Sequence, residues 1–276
     1  MPAERTPHGA RLAGRYLLLC VVAFVVLLPI YTTVIGAFKP PGDLLDHPLV
    51  PGPFTFDNFT EAWTDGRLGR YLFNSLLVAS IITIAQLVTS VLSGYTFSML
   101  DFPGRDVLFV LFISTMLVPF EATVVVNRRT VGTLDWINTY QGLAVPFMAT
   151  AFGTFLVRQA FLALPRELRD AARIDGAGHL AFLWYVAVPV VRPTLGALAL
   201  FGFLSAYNQY LWPNVITTED DMNTVQSGLK ALRESAIQQP GLVMAGTIIA
   251  AVPIVIALLL FQKALIRGLT SGALKG

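Results

Sequence analysis

Six apolar stretches, each long enough to cross a lipid bilayer, dominate this sequence of 276 residues. A helix needs roughly 20 apolar residues to span the hydrocarbon core of a membrane. The predicted spans lie at about Tyr16–Phe38, Leu72–Met99, Val107–Val126, Tyr140–Phe161, Val191–Trp212 and Val243–Gln262. Only 13% of the residues are charged, whereas an average globular domain carries about 25%. The chain is therefore predicted to be an all-α membrane protein with about six transmembrane helices.

The first apolar stretch raises the question of a cleaved signal sequence, because Arg5, Arg11 and Arg15 precede it. Its apolar run is longer than the 7–15 residues of a signal-peptide core, and no A-x-A cleavage pattern follows it. We therefore interpret this stretch as a retained membrane anchor. Residues 1–15 are then predicted to form a cytoplasmic N-terminal tail.

The distribution of Lys and Arg predicts the orientation, because cytoplasmic loops carry an excess of these residues. With a cytoplasmic N-terminus, twelve of the 19 cations lie inside and seven outside. Both termini are then cytoplasmic, as an even number of spans requires. Arg128 and Arg129, placed outside beside the third span, run against this trend. The predicted membrane domain covers 16–266, a cytoplasmic tail covers 267–276, and the long internal loop is 162–190.

That internal loop contains a short polar helix, which a membrane protein has little reason to keep unless something outside the bilayer binds it. Pro165 suits a first helical turn, where its missing amide would be unpaired anyway. Ala171 and Ala172 are strong helix formers, and Gly176 is well placed to end the helix in a left-handed conformation. A second helix over 178–187 is predicted to run up to Pro189.

The alanine pair is predicted to present a flat surface on which another protein packs closely. Glu167, Arg169, Asp170 and Arg173 would supply charges around it. The alternative is an amphipathic hairpin that lies on lipid headgroups, a structure that usually combines a basic face with bulky apolar anchors. The first helix is nearly balanced in charge and has little large apolar surface, so the sequence favours a protein dock over the lipid alternative.

The spacing within this loop matches a known pattern. Asp170-Ala171-Ala172, then Gly176 after three residues, then Val186-Ala187-Val188-Pro189 after nine more, follow Glu-Ala-Ala-x3-Gly-x9-Ile-x-Leu-Pro. The loop therefore resembles the EAA loop of bacterial ABC importer permeases, with Asp in place of Glu and Val in place of Ile and Leu. The departure at Asp170 shortens a carboxylate by one methylene.

Further segments resemble the carbohydrate-uptake branch of that family, and in particular the second permease subunit of the maltose transporter. These segments are Ala-Arg-Ile-Asp-Gly-Ala at 172–177, Asn74-Ser75-Leu76, Phe102-Pro103-Gly104-Arg105, Asn208 to Trp212-Pro213, and the ending from Gly268 to Gly276. The likeness covers the chain from about residue 12 to its end.

The resemblance implies a permease subunit of an ATP-driven importer for an oligosaccharide, a disaccharide or a polyol, located in the cell membrane. It implies three kinds of protein partner: a second homologous permease, two cytoplasmic ATP-binding subunits and an extracytoplasmic solute-binding protein seated on 39–71 and 213–242. ATP and magnesium would be used by the ATPase partner, with no cofactor in this chain. The residues that the resemblance assigns to ATPase coupling are Glu167, Arg169, Asp170, Ala171, Ala172, Arg173, Asp175, Gly176, Ala177 and Pro189.

The residues themselves agree that this chain is not an enzyme. The sequence has no Gly-x4-Gly-Lys-Ser/Thr phosphate loop and no His-Glu-x-x-His motif. Its histidines, His8, His47 and His179, lie outside the strongest apolar runs, and Cys20 is the single cysteine. We therefore expect no catalytic site, no metal site and no intrachain disulfide. The net charge of +2 gives no indication of nucleic-acid binding.

The substrate path is predicted from two features. Glu121 near the outer end of the third span is an ionisable group at membrane depth, which marks a functional candidate; the alternative is a residue solvated at the headgroups. Tyr207, Asn208, Gln209 and Tyr210 combine rings and amides suited to sugars, although an aromatic belt explains the tyrosines equally well. Five small or polar residues of the second span are interpreted as helix-packing residues: Gln86, Thr89, Ser90, Ser93 and Gly94.

Other functional classes fit less well. A secondary transporter would need carboxylates or histidines near the membrane midplane and paired repeats, and neither is visible in the sequence. An ABC permease for an amino acid, a peptide or phosphate would share the same docking loop. That alternative stays open, because only the resemblance tells against it.

Overall fold

The computed structural model describes residues 8–40, 43–44, 47, 49–236 and 239–270. Over these ranges the regular structure is helical, without a strand, which confirms the predicted all-α class. Three single helices are long and apolar enough to cross a membrane, and three bent helix pairs pass the same test. The number of spans is six when each pair counts as one, in agreement with the predicted number.

The helices are numbered in chain order across the described ranges. They are α1 (His8–Ala37), α2 (Asp57–Thr64), α3 (Leu68–Met99), α4 (Arg105–Ser114), α5 (Phe120–Thr133), α6 (Tyr140–Ala144), α7 (Ala151–Leu162), α8 (Arg166–Ile174), α9 (His179–Val190), α10 (Arg192–Tyr207), α11 (Leu211–Ile216), α12 (Val225–Ser235) and α13 (Pro240–Thr270). Short 3-10 turns extend α4 to Leu117 and α6 to Phe147. The predicted tails at 1–15 and 267–276 and the external segments 39–71 and 213–242 lie partly outside the described residues.

The chain forms two compact units, and the first comprises Met1–Leu68 and Leu229–Ala251. In this unit the segment after α1 is held by specific contacts. Asn58 in α2 is buried, and its Nδ2 donates to the carbonyls of Ala37 and Lys39 at 2.9 and 2.8 Å. Lys39 is buried as well, and its Nζ lies 3.0 Å from a carboxylate oxygen of Asp43. A buried cation is tolerated because it is paired in this way.

The second unit comprises Gly69–Gly228 and Val252–Gly276 and contains two hydrophobic clusters. The Tyr95 cluster includes Val91, Tyr95, Val157, Phe161, Ala172, Phe182, Leu183, Ala187, Val191 and Leu198. The Trp212 cluster includes Val78, Ile82, Val131, Leu143, Ala144, Trp212, Ile216 and Met222. Helix α3 contributes residues to both clusters and therefore connects them. Trp212 is fully buried, and its Nε1 donates to the carbonyl of Gly142 at 2.9 Å.

The predicted third span, Val107–Val126, is not one straight helix. It breaks between Leu117 and Phe120, and the axes of the two pieces differ by 97°. Val118 is extended, with ψ of 111°, and Pro119 follows it with ψ of 138°. The residue before a proline is disfavoured in the helical region, and proline lacks the amide that would continue the helix. The break is thus a local consequence of Pro119.

The fourth span is bent by 45° between Tyr140–Phe147 and Ala151–Leu162. A break inside a membrane leaves carbonyls without intrahelical donors, and these need other partners. Side chains of α3 supply them: Gln86 Nε2 donates to the carbonyl of Phe147 at 2.8 Å, and Thr89 Oγ1 donates to that of Met148 at 3.1 Å. These two residues, predicted only to pack helices, therefore also cap a broken span.

Close packing of α3 on α7 explains the small residues of the second span. A Cβ at Gly94 would lie 2.9 Å from Val157 Cγ1 and 3.0 Å from the backbone nitrogen of Arg158. Ser93 Oγ and Thr154 Oγ1 are 2.7 Å apart across the same contact. These contacts confirm the interpretation of Ser93 and Gly94 as helix-packing residues, because a Cβ at Gly94 would force its neighbours on α7 to shift.

The fifth predicted span, Val191–Trp212, also differs from a single helix. Its membrane helix α10 ends at Tyr207, and α9 meets it at Val191 with a bend of 78°. The second short helix, predicted over 178–187, continues to Val190 through a π-helical turn over Leu183–Ala187. In that turn the Val188 amide donates to the Leu183 carbonyl. A π turn is a known way for a helix to change its register.

Candidate coupling site

Helix α8 is the polar helix that the sequence predicts in the internal loop. It begins at Arg166, so Pro165 precedes the first turn by one residue and is extended, with ψ of 135°. The end of the helix is a Schellman motif. The amide of Ala177 donates to the Ala172 carbonyl at 2.9 Å, and the amide of Gly176 donates to the Arg173 carbonyl at 3.1 Å. Gly176 has φ of +74°, which is the predicted left-handed stop.

The two alanines of α8 differ in their exposure to solvent. Ala172 is 9% exposed and belongs to the Tyr95 cluster, whereas Ala171 is exposed. The prediction that both alanines present an outward docking surface is therefore wrong for Ala172, because its methyl group packs against the rest of its own chain. Ala171 is the member of the pair that another protein can contact.

The charges of α8 are arranged favourably along its axis. Glu167 lies in the first turn and Arg173 in the last turn, where each complements the helix dipole. Glu167, Asp170, Arg173 and Asp175 are exposed, and Arg169 is half-buried. The exposed side chains can therefore form ion pairs with a partner, as predicted for the rim of a docking surface.

The surface against which α8 packs is formed by residues that are distant from it in the sequence. Tyr95 near the end of α3 packs edge-on against Phe161, with ring centroids 6.0 Å apart, and lies 6.5 Å from Phe182. Its Oη is 3.1 Å from Nδ1 of His179. Sequence reasoning missed Tyr95, Phe182 and His179 in this role, because no motif near them in the chain indicates that they meet α8.

Large apolar side chains are exposed around this loop. Ile174 at the end of α8 is 87% exposed, and Leu180 and Tyr185 in α9 are 68% and 83% exposed. The sequence-based argument that the first helix has little large apolar surface overlooked Ile174, and it did not consider Leu180 and Tyr185 in the second helix. Exposed apolar groups next to charged ones are typical of protein or membrane interaction sites, so the surface has both components that a dock needs. Ala177 and Pro189 are half-buried, and Gly176 is exposed.

The residues predicted for the sugar path at 207–210 differ in their burial. Tyr207 is 1% exposed and stacks on Phe203, with ring centroids 5.7 Å apart, so it belongs to the interior. Asn208 and Tyr210 are exposed, and Gln209 is half-buried. Asn208 Oδ1 accepts a hydrogen bond from Gln226 Nε2 at 3.2 Å. The exposed members of this set are therefore Asn208 and Tyr210, whereas Tyr207 is buried.

Glu121 lies in the first turn of α5 and is exposed. Its neighbour Phe120 packs on Phe147 and Trp212, with ring centroids 5.1 and 5.8 Å away. The carboxylate thus sits beside the Pro119 break at the edge of the Trp212 cluster.

The N-terminal end of α3 carries a further set of contacts that the sequence did not indicate. Asn74 is fully buried, and its Nδ2 donates to the carbonyls of Asp221 and Asn223 at 2.8 Å each. Its Oδ1 accepts from Tyr140 Oη at 2.8 Å. Ser75 Oγ accepts from the amide of Val225 at 2.8 Å. Asn74 and Ser75 therefore fasten the 221–225 segment to α3, which gives this pair a structural role.

Sequence comparisons agree with this architecture. Residues 86–271 match the model of a family described as "Binding-protein-dependent transport system inner membrane component". The sn-glycerol-3-phosphate transport system permease protein UgpE of Yersinia enterocolitica is 35% identical over 264 residues, covering 92% of this chain and 94% of that protein. The arabinooligosaccharides transport system permease protein AraQ of Bacillus subtilis is 32% identical over 262 residues, covering 93% of each chain.

Solved structures share the fold. A chain from a bacterial ABC transporter involved in the import of the acidic polysaccharide alginate superposes with a TM-score of 0.83 at 21% identity, covering 95% of this chain and 99% of that one. A chain from a bacterial alginate ABC transporter in complex with an alginate pentasaccharide-bound periplasmic protein superposes with a TM-score of 0.66 at 13% identity. That second superposition covers 92% of both chains.

Proposed function

This chain belongs to the family of binding-protein-dependent transport system inner membrane components, and on that basis we propose that it is a permease subunit of an ATP-driven importer of carbohydrates. As a membrane-embedded transport component it moves a solute and is not itself an enzyme. ATP and magnesium are used by a separate ATPase, and the termini and the α8–α9 loop face the cytoplasm. Two ATPase subunits and a second, homologous permease complete the importer.

The observation that carries the coupling role is the geometry of α8. The helix ends at a Schellman motif formed around Gly176, and Ala172 packs it against the Tyr95 cluster. Packed side chains transmit displacement, whereas a flexible loop would absorb it. A movement imposed on α8 by the ATPase would therefore reach α3 and α7. The ATPase contacts the outward face, which includes Ala171 and Ile174.

The substrate class is inferred from the relatives. Their names specify sn-glycerol-3-phosphate, arabinooligosaccharides and alginate, which are all polyhydroxylated solutes. We assign this chain a solute of the same chemical class, an oligosaccharide, a disaccharide or a polyol, delivered by an extracytoplasmic binding protein. Asn208 and Tyr210 are exposed and suited to contact such a solute, and Gln209 and Glu121 are further candidates for the path.

A substitution on the outward face of α8 tests the coupling role. Ala171→Trp places a large ring where the ATPase must approach, without entering the Tyr95 cluster. We expect normal assembly in the membrane but loss of solute uptake, with ATP hydrolysis no longer stimulated by the binding protein. Ala13→Trp is the matched control, because Ala13 is also an exposed alanine and lies in α1. Normal uptake by the Ala171→Trp importer would contradict the assignment of the docking surface.

A further inference from the structure

A small cavity lies on the inward side of α8, opposite the proposed docking face. Its volume is about 140 Å³. The polar or charged residues that line it are Tyr95 from α3, Arg169 and Arg173 from α8, and His179 from α9. Arg169 and Arg173 are four residues apart in one helix, so their side chains project from the same face. Among the described residues that line this cavity there is no carboxylate.

Arg169 carries a buried donor for which the described residues offer no partner. Its Nε is buried and has no hydrogen-bond acceptor among the described residues. Arg169 also lines an adjoining cavity of about 220 Å³, whose charged lining residues are Arg166 and Arg169. A guanidinium stays charged and carries five donors, so burying one donor without an acceptor is unfavourable. Two neighbouring cavities thus present cations without an anion to balance them.

Two cations elsewhere in the described parts of the chain have carboxylate partners. Arg105 Nη1 lies 3.0 Å from the Asp101 carboxylate, and Lys230 Nζ lies 3.8 Å from that of Glu234. The acidic residues of α8, Glu167 and Asp170, are exposed and do not line either cavity. Arg169 differs from these two cations because its buried Nε has no acceptor among the described residues.

The cavity also lies at a defined depth. Tyr95 and Met99, which both line it, belong to the last two turns of the apolar span Leu68–Met99. This helix has 32 residues, more than the roughly 20 that span the hydrocarbon core, so its end lies at or beyond the edge of the core, on the side of the lipid headgroups. His179 is held there by the contact of its Nδ1 with Tyr95 Oη at 3.1 Å. An anionic group of a lipid in the adjacent leaflet is therefore within reach of the cavity.

We propose that this cavity binds a phosphate group, with Arg169 and Arg173 as its cationic ligands and His179 as an additional donor. Guanidinium groups match phosphate oxygens in geometry and form charge-assisted hydrogen bonds with them. The phosphate comes either from the headgroup of an anionic phospholipid or from a soluble phosphate compound. Basic pockets beside transmembrane helices are known to bind anionic headgroups. Bound phosphate would fasten α8 to the end of α3.

This role differs from ATPase docking in the side of α8 that it mainly uses, although Arg173 is exposed and also lines the cavity, so it borders both. Docking uses the outward face with Ala171, whereas the cavity lies on the inward side with Ala172, which also lines it. Failure of one assignment therefore leaves the other intact. The test measures ligand retention by the assembled importer and does not depend on uptake.

The experiment uses the importer purified with its partner subunits and placed in phosphatidylcholine nanodiscs. Phosphatidylglycerol is added in one arm and inorganic phosphate in the other, and bound ligand is quantified by native mass spectrometry. We expect the wild type to retain one of these ligands. Arg169→Gln combined with Arg173→Gln should weaken retention by about tenfold or more, because charge-assisted bonds are lost. Arg192→Gln is the control, since Arg192 is exposed and lines neither cavity.

The outcomes are distinct. Retention of phosphatidylglycerol without a response to inorganic phosphate identifies a lipid site, and the reverse identifies a soluble ligand. If the wild type retains neither ligand, or if Arg192→Gln loses as much as the double variant, the proposal is overturned. Should the double variant fail to assemble, Arg173→Gln alone decides the matter, because Arg173 is exposed and its replacement leaves the Tyr95 cluster unchanged.

Discussion

The side-chain amide of Gln86 donates a hydrogen bond to the carbonyl of Phe147 at 2.8 Å, across the break in the fourth span. The two residues are 61 positions apart. Within a bilayer an unpaired carbonyl has no water to bind, so this contact, together with that of Thr89 Oγ1 to the Met148 carbonyl, makes the break tolerable. The oxygen of the Gln86 side-chain amide, Oε1, lies 2.8 Å from the position that a Cβ at Gly202 would occupy. Helix α10 therefore also packs closely against Gln86.

Gln86→Leu should therefore destabilise the protein by about 1–3 kcal/mol, because the Phe147 carbonyl is left buried without a donor. Thermal unfolding in detergent measures the effect. Gln262→Leu is the matched control, since Gln262 is exposed in α13 and bonds only within its own helix. Equal thermal midpoints for the two variants would show that Gln86 contributes nothing to the stability of the broken span.

Gly94→Ala should lower stability by about 1–3 kcal/mol, the typical cost of overpacking a well-packed contact. The added methyl group would meet the backbone of Arg158 at 3.0 Å, and backbone atoms cannot move aside as a side-chain tip can. Gly132→Ala is a suitable comparison, because nothing lies within 4 Å of a Cβ at that helical position. We expect Gly132→Ala to be neutral or slightly stabilising; a similar loss in both variants would point to a general effect of replacing glycine.

Gly176→Ala should cost roughly 1–2 kcal/mol, the penalty for placing a side chain in the left-handed region. The penalty is purely conformational, since no atom lies within 4 Å of a Cβ at Gly176. Gly176→Asn should cost less, because asparagine adopts this conformation more readily. Gly178→Ala provides the control: Gly178 has φ of −74° and the same open surroundings. Unfolding midpoints in the order Gly178→Ala, Gly176→Asn, Gly176→Ala are expected, from high to low.

Ala172→Trp should prevent correct folding, in contrast to the proposed effect of Ala171→Trp. The ring cannot fit at a position that is 9% exposed within the Tyr95 cluster. We expect a large loss of Ala172→Trp protein from the membrane fraction, whereas Ala171→Trp should reach wild-type abundance. Membrane abundance followed by size-exclusion chromatography distinguishes the two. If both variants accumulate equally and elute as wild type, the assignment of Ala172 to the interior is incorrect.

Much of the helix pattern was predictable from local information. The long apolar stretches indicate spans because the bilayer sets the length of a helix that crosses it. The break at Pro119 could also have been predicted from the sequence, since proline and the residue before it disfavour a continuous helix. The π turn over Leu183–Ala187 was harder to anticipate, because such a turn carries no clear sequence signature.

The candidate coupling site likewise has features that the sequence predicted and features that depend on tertiary contacts. The sequence located α8 and its stop at Gly176, because helix propensity and the left-handed preference of glycine act over a few residues. It did not reveal that Ala172 faces inward, since the inward face depends on Tyr95 and Phe182, which other helices supply. Tyr95 and His179 are 84 positions apart, and no local pattern indicates that they meet.

The sequence alone determined that this chain is an all-α membrane protein of the permease type, with a polar helix between its fourth and fifth spans. Those properties follow from hydrophobic length, from turn preferences and from motif spacing, all of which are encoded in neighbouring residues. Only the tertiary structure decided which alanine of the pair is available, which side chains cap the broken span, and where the cations of α8 surround a cavity. These features depend on contacts between residues far apart in the chain, and such contacts exist only once the helices have packed.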